Sequence, residues 1–141
     1  MPFGRSSKGS KSSRCSRSKT MNDKISGYKK LIVWKEALNL VILVYKLTAN
    51  FPRSEEFGLK SQMRRASVSI ISQIAEGWLR RSIKEKLHYL EIAEGSLLEL
   101  ETQGEVARAV KYWDKEKYEK FNDQRARVAY LLFRYKNKVG A

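Results

Sequence analysis

The chain has 141 residues, 42% of them hydrophobic, which suits one domain with a continuous core. Its 29 Lys and Arg against 15 Asp and Glu give a formal charge of +14, a balance that favours polyanionic partners such as RNA, DNA or an anionic membrane. A lone Cys15 excludes an intrachain disulfide framework and points to a reducing cytoplasm, and the first twenty residues lack the apolar centre of a secretory signal.

Residues 1–20 contain seven serines, two glycines and six basic residues with no acid, a composition that cannot bury apolar area. A disordered, basic, Ser-rich tail is therefore expected over 1–28, ahead of a helical domain over 29–141. Met21 at the junction favours an upstream, misassigned or vector-derived start over a native arm that touches phosphates. Without the tail's six cations the chain still holds 23 basic against 15 acidic residues.

Four amphipathic helices follow. In the first, Trp34, Leu38, Val41, Tyr45 and Thr48 recur at steps of four and three, until Phe51-Pro52 ends the helix. The loop Arg53 to Gly58 leads to a second, with Leu59, Met63, Ala66, Ile70 and Ile74 on one face and Gly77 loosening its last turn. Ser82 and Glu85 form a capping box for a third, lined by Leu87, Leu90, Ala93, Leu97 and Leu100 and continuing past Gly104. Gly95 beside Ser96 reads as a point of close helix approach. Asp114 caps the fourth, whose seam is Tyr118, Phe121, Arg125, Val128, Leu132 and Tyr135.

No segment alternates with period two and no hairpin signal occurs. Four long amphipathic helices with short joints bury their stripes as an all-α, antiparallel up-down four-helix bundle, with left-handed packing from a spacing near 3.5. The most apolar window, Leu31 to Phe51, is broken by Lys35, Glu36, Asn39 and Lys46, so no membrane span is expected. Surface binding to a bilayer ranks low as well, since all four stripes are needed for one core.

Catalytic chemistry finds little support. Glu85 and His88 form one Glu-x-x-His pair, but His88 is the only histidine, so neither a di-iron site nor any metal site is expected. No nucleophile elbow or Gly-rich phosphate loop is present, and no cofactor is implied. The basic residues carry more. Arg80, Arg81, Lys84 and Lys86 cluster at the second joint, and Arg125, Arg127, Arg134, Lys136 and Lys138 occupy an acid-free C-terminal stretch. Lys29, Lys30 and Lys35 flank the first helix. Up-down topology gathers these segments at one pole, where phosphate contacts would give salt-sensitive RNA binding. The competing reading is a solvated, charged face.

The runs FPRSEEFGLKSQMRRASVSIISQIAEG from Phe51 and LEIAEGSLLELETQ from Leu90, with the opening LIVWKEALNLVILVYKLT, resemble the four-helix-bundle proteins encoded in intervening sequences of bacterial 23S ribosomal RNA genes. The resemblance implies a ring, typically a homopentamer, and a kinship with accessory proteins of diversity-generating retroelements that associate with a reverse transcriptase and its RNA. Arg64 and Arg65 match the family's Arg-Arg-Ala, and Glu76 with Gly77 its Ala-Glu-Gly. The chain departs from it at Ile71 and Gln73, where the family has Pro and Asn, and at Glu94, where it has Arg. Arg64 and Arg65 bind phosphate or pair with Glu76 or Glu99, with pairing preferred for Arg65. Trp78, Tyr112, Trp113 and Phe133 exceed the needs of one seam and are expected at a subunit interface. The function expected is non-enzymatic RNA binding by a cytoplasmic homo-oligomer; the alternative is a scaffold that docks a partner enzyme.

Overall fold

The computed structural model describes residues 26–141; Cys15 and the Ser-rich stretch 1–20 lie outside the described residues. Four helices follow one another: α1 (Ile32–Thr48), α2 (Leu59–Leu79), α3 (Ile83–Ala109) and α4 (Lys115–Gly140). A 3-10 turn over Gly27–Lys30 precedes α1, and another over Arg53–Glu55 precedes α2. The described residues contain no strand.

The starts of α2, α3 and α4 each have a backbone N–H capped by a side chain. Ser82 Oγ accepts the Glu85 N–H at 3.1 Å and Asp114 Oδ1 accepts the Lys117 N–H at 2.8 Å, which satisfies orphan donors at the starts of α3 and α4. At the start of α2 the Leu59 N–H donates to the Glu55 carboxylate at 3.3 Å. The α3–α4 joint is turned by Lys111 at φ 68°, with the Tyr112 and Trp113 N–H groups both donating to the Ala107 carbonyl. A left-handed residue at this place closes helices commonly, but glycine usually holds it.

Each helix packs against its neighbours in sequence, and α4 closes the ring of contacts on α1. The seams expected for α2, α3 and α4 are the core: Met63, Ala66, Ile70 and Ile74 meet Leu90, Ala93, Leu97 and Leu100, with Phe121, Val128 and Leu132 from α4. The seam of α1 includes Thr48 as expected but otherwise runs one residue earlier. Val33, Ala37, Leu40, Val44 and Thr48 are buried, while Trp34 and Val41 are half-buried and Leu38 and Tyr45 are exposed. Helix α1 is apolar on more than one side, so two stripes satisfy the same spacing, and the one with small Ala37 faces the neighbours.

Tyr112 and Trp113, expected at a subunit interface, instead close one end of the bundle. The Trp113 ring lies 4.9 Å from Phe121 and 5.9 Å from Phe51, and its indole N–H donates to the Leu47 carbonyl at 2.7 Å. Tyr112 packs on Phe51 and donates to Glu55 at 2.8 Å. Phe121 lies over Gly104, where an added Cβ would enter its ring. Gly95, expected at a close approach, has no neighbour within 4 Å of an added Cβ. Beside it, the Ser96 and Ser69 hydroxyls of α3 and α2 meet at 2.9 Å, and a second close approach is at Gly77, against Tyr89 Cβ and the Lys86 carbonyl.

Two substitutions test this account by chemical denaturation of the full chain. Gly104→Ala should cost about 2 kcal/mol, the typical effect of forcing a methyl into a packed core. An unchanged midpoint would mean that the Phe121 ring can move aside. Lys111→Gly should raise stability by about 1 kcal/mol by relieving the left-handed backbone; a loss would show that the lysine side chain makes a compensating contact.

Candidate nucleic-acid interface

Helices α1 and α3 run one way and α2 and α4 the other, so residues 27–35, 76–88 and 134–141 meet at one end of the bundle. Leu31, Trp78, Ile83, Tyr135 and Val139 line one cavity there, which brings all four helix ends together. These segments hold ten Lys and Arg against two acids, whereas the opposite end, over 46–60 and 105–120, holds eight against six. By residue count this end, the basic pole, carries the larger excess of cations.

Local contacts divide the nine candidate cations. Arg80 donates to Glu76 at 2.8 Å and lies over the Tyr89 ring at 4.6 Å. Lys86 donates to the Trp78 carbonyl at 2.8 Å and the Gly77 carbonyl at 3.4 Å, which caps the C-terminus of α2. Lys136 pairs with Glu94 at 2.8 Å and Glu91 at 3.8 Å. The hydrogen bond to Glu94 raises its pKa, against the effect of burial. Arg134 hydrogen-bonds the Tyr130 hydroxyl at 3.2 Å and has no acidic partner among the described residues. Arg81, Lys84 and Lys138 are exposed and make no ion pair with another described residue.

Arg125 and Arg127 sit apart from the pole. They lie 15 and 13 residues before Gly140 along α4, about 20 Å away at the helical rise. Arg125 donates to Asn122 Oδ1 at 2.9 Å and pairs with Glu101 at 3.5 Å, so this seam position is a tie between α3 and α4. Arg127 approaches Glu36 at 3.8 Å. The Gln124 amide, 2.7 Å from the Glu36 carboxylate, is the main cause of that carboxyl's lowered pKa.

The sequence leaves the roles of the two arginines of α2 open, and the pairing preferred for Arg65 does not form. Arg64 makes the structural contacts, donating to Thr48 Oγ1 at 3.1 Å and the Tyr45 carbonyl at 3.2 Å while stacking 4.4 Å from the Tyr45 ring. Arg65 is exposed and pairs with neither Glu76 nor Glu99: Glu76 lies about 16 Å further along the same helix and accepts from Arg80, and Glu99 accepts from Gln103. Glu94, where the resembling family has arginine, is the acid that neutralises Lys136.

Among the described residues no group of three or more His, Cys, Asp or Glu is placed to hold a metal ion. No described helix is long and apolar enough to cross a membrane. Trp78 and Tyr135 were read only as interface and seam residues, yet both face the cavity at the basic pole, beside Lys138. Their places at the ends of α2 and α4 were the available signal.

No curated protein matches the sequence. A protein of unknown function from the S23 ribosomal protein family of Bacteroides thetaiotaomicron VPI-5482, solved by crystallography at 1.70 Å, has a similar structure. It is 25% identical, with a TM-score of 0.67 over 74% of this chain and 98% of that one. Residues 29–134 match the family described as 23S rRNA-intervening sequence protein. With well over half of its length matched, the chain belongs to the 23S rRNA-intervening sequence protein family.

Proposed function

We propose that this protein is a non-enzymatic, cytoplasmic RNA-binding bundle that engages phosphates through its basic pole. The observation that carries the reading is the group of four candidate cations there that are exposed and have no acidic partner among the described residues: Arg81, Lys84, Arg134 and Lys138. Side chains already held by carboxylates contribute less to the potential a polyanion meets, so these four are the principal contacts. The family's tie to 23S ribosomal RNA genes supports RNA as the polyanion.

The protein works as a homo-oligomer. Leu38, Ile42 and Tyr45 form an exposed apolar stripe along α1, and Phe57 beside the start of α2 is 96% exposed. Exposed apolar surface of this kind marks protein interfaces. The pentameric ring implied by the resemblance is one assembly that would cover it. Docking to a partner enzyme, such as the reverse transcriptase of a diversity-generating retroelement, is the second reading that the same stripe favours.

Fluorescence anisotropy with single-stranded RNA across a salt series tests the pole. Replacing Arg81, Lys84 and Lys138 together by Gln should reduce the slope of log affinity against log salt by about 2, near 0.7 per lost contact. The matched change of Lys111, Lys115 and Lys117 at the opposite end should leave the slope nearly intact. Equal losses in both triples would reduce the effect to overall charge. Light scattering tests assembly: the wild type should exceed the 16.4 kDa of one chain, and Ile42→Lys should return it to that mass with helix content preserved. A monomeric wild type at micromolar concentration would overturn the oligomer.

A further inference from the structure

Between the four helix ends at the basic pole lies a cavity of about 350 Å³, walled by Leu31, Trp78, Ile83 and Val139 and edged by Lys86, Tyr135 and Lys138. A second cavity, of about 290 Å³, shares Leu31, Tyr135 and Lys138 and adds Lys30. Neither lining contains a carboxylate. The volumes are of the order of small-ligand sites, and the composition fits them: apolar and aromatic walls with a few polar groups.

The polar groups are open to a ligand. The Tyr135 hydroxyl makes no hydrogen bond to another described residue, and burial raises its pKa, so it stays a neutral donor. Lys30 and Lys138 are exposed without ion pairs among the described residues. Lys86 uses two of its three N–H donors on the carbonyls of Gly77 and Trp78. The Trp78 indole is held from behind by Gly27, where an added Cβ would come within 2.8 Å of the ring. Fixed aromatic walls with donors and cations but no acceptor anions select a ligand with a flat apolar part and a negative charge.

We infer that this cavity receives an unpaired nucleotide of a bound RNA, its base against Trp78 and Tyr135 and its phosphate on Lys138 and Lys30. The inference rests on the RNA reading above and adds a preference for single-stranded segments over blunt duplex. Stacking on aromatic side chains is how proteins commonly hold splayed-out bases.

The test compares a blunt RNA hairpin with the same hairpin carrying a short single-stranded adenosine overhang, using the full chain, with AMP as competitor. The overhang should bind at least about fivefold tighter, the smallest effect expected of one stacked base. Trp78→Leu should abolish that advantage, and Tyr135→Phe, which keeps the ring and its packing, should reduce it about threefold. Neither variant should weaken binding of the blunt hairpin. Equal affinity for both RNAs in the wild type would overturn the cavity assignment and leave the RNA reading standing, whereas loss of binding to both would overturn the two together. Saturable AMP binding by a chain that ignores the overhang would assign the cavity to free nucleotides and overturn its place on an RNA strand. Should Trp78→Leu not fold, Tyr135→Phe alone decides: an unaltered overhang advantage overturns the inference.

Discussion

One indole ties the non-basic end of the bundle together. Trp113 reaches from the α3–α4 joint to the last turn of α1 through its hydrogen bond to Leu47, while its ring fills the space between Phe51 and Phe121. The bond satisfies a carbonyl that the end of α1 would otherwise leave without a helical partner, and it does so where water is largely excluded. Gly104 is required for the same reason: only a residue without Cβ lets Phe121 lie against α3. The joint must then turn sharply enough to bring Trp113 inward, which accounts for the left-handed backbone at Lys111.

With that end closed by aromatic packing, the two poles differ in kind. The aromatic pole balances most of its charge, and the other carries ten cations against two acids. Several of those cations have structural roles. Lys86 caps α2, Arg80 pairs along its own helix, and Lys136 bridges α4 to α3. Exposed pairs such as Arg80–Glu76 add little to stability, since solvent screens them. Their larger effect is to set which charges stay available, and of these Lys138 lines the cavity.

Much of this was legible in the residue pattern. The seams of α2 to α4 hold most of the apolar residues that recur at steps of three and four in those helices, so spacing identifies their core faces although Ile71, Leu98 and Phe133 lie beside them. In α1 the expected stripe of Trp34, Leu38, Val41 and Tyr45 lies one residue from the buried one because the two are equally apolar, and periodicity cannot choose between two apolar faces. Arg125 and Arg127 were grouped with the pole because they are near the C-terminus in sequence, yet a helix extends about 1.5 Å per residue and carries them far from it. Arg64 and Arg65 are adjacent and point to different sides of α2, so which one meets the end of α1 depends on tertiary packing. The convergence of Trp78, Tyr135 and Lys138 likewise depends on how four separate helix ends meet, which no local pattern encodes.

An even number of antiparallel helices has a practical corollary. The described N-terminal residues and Ala141 emerge on the same side, beside Lys30 and Lys138. A purification tag or fluorescent fusion appended to the C-terminus is therefore tethered over the surface whose ligand is to be measured. An acidic one would occupy the cations, and a polyhistidine one would add to them. The turn at 53–58, at the far end of the molecule, spares that surface, but a reporter there would sit on Phe57 and beside the Glu55 contact to Tyr112.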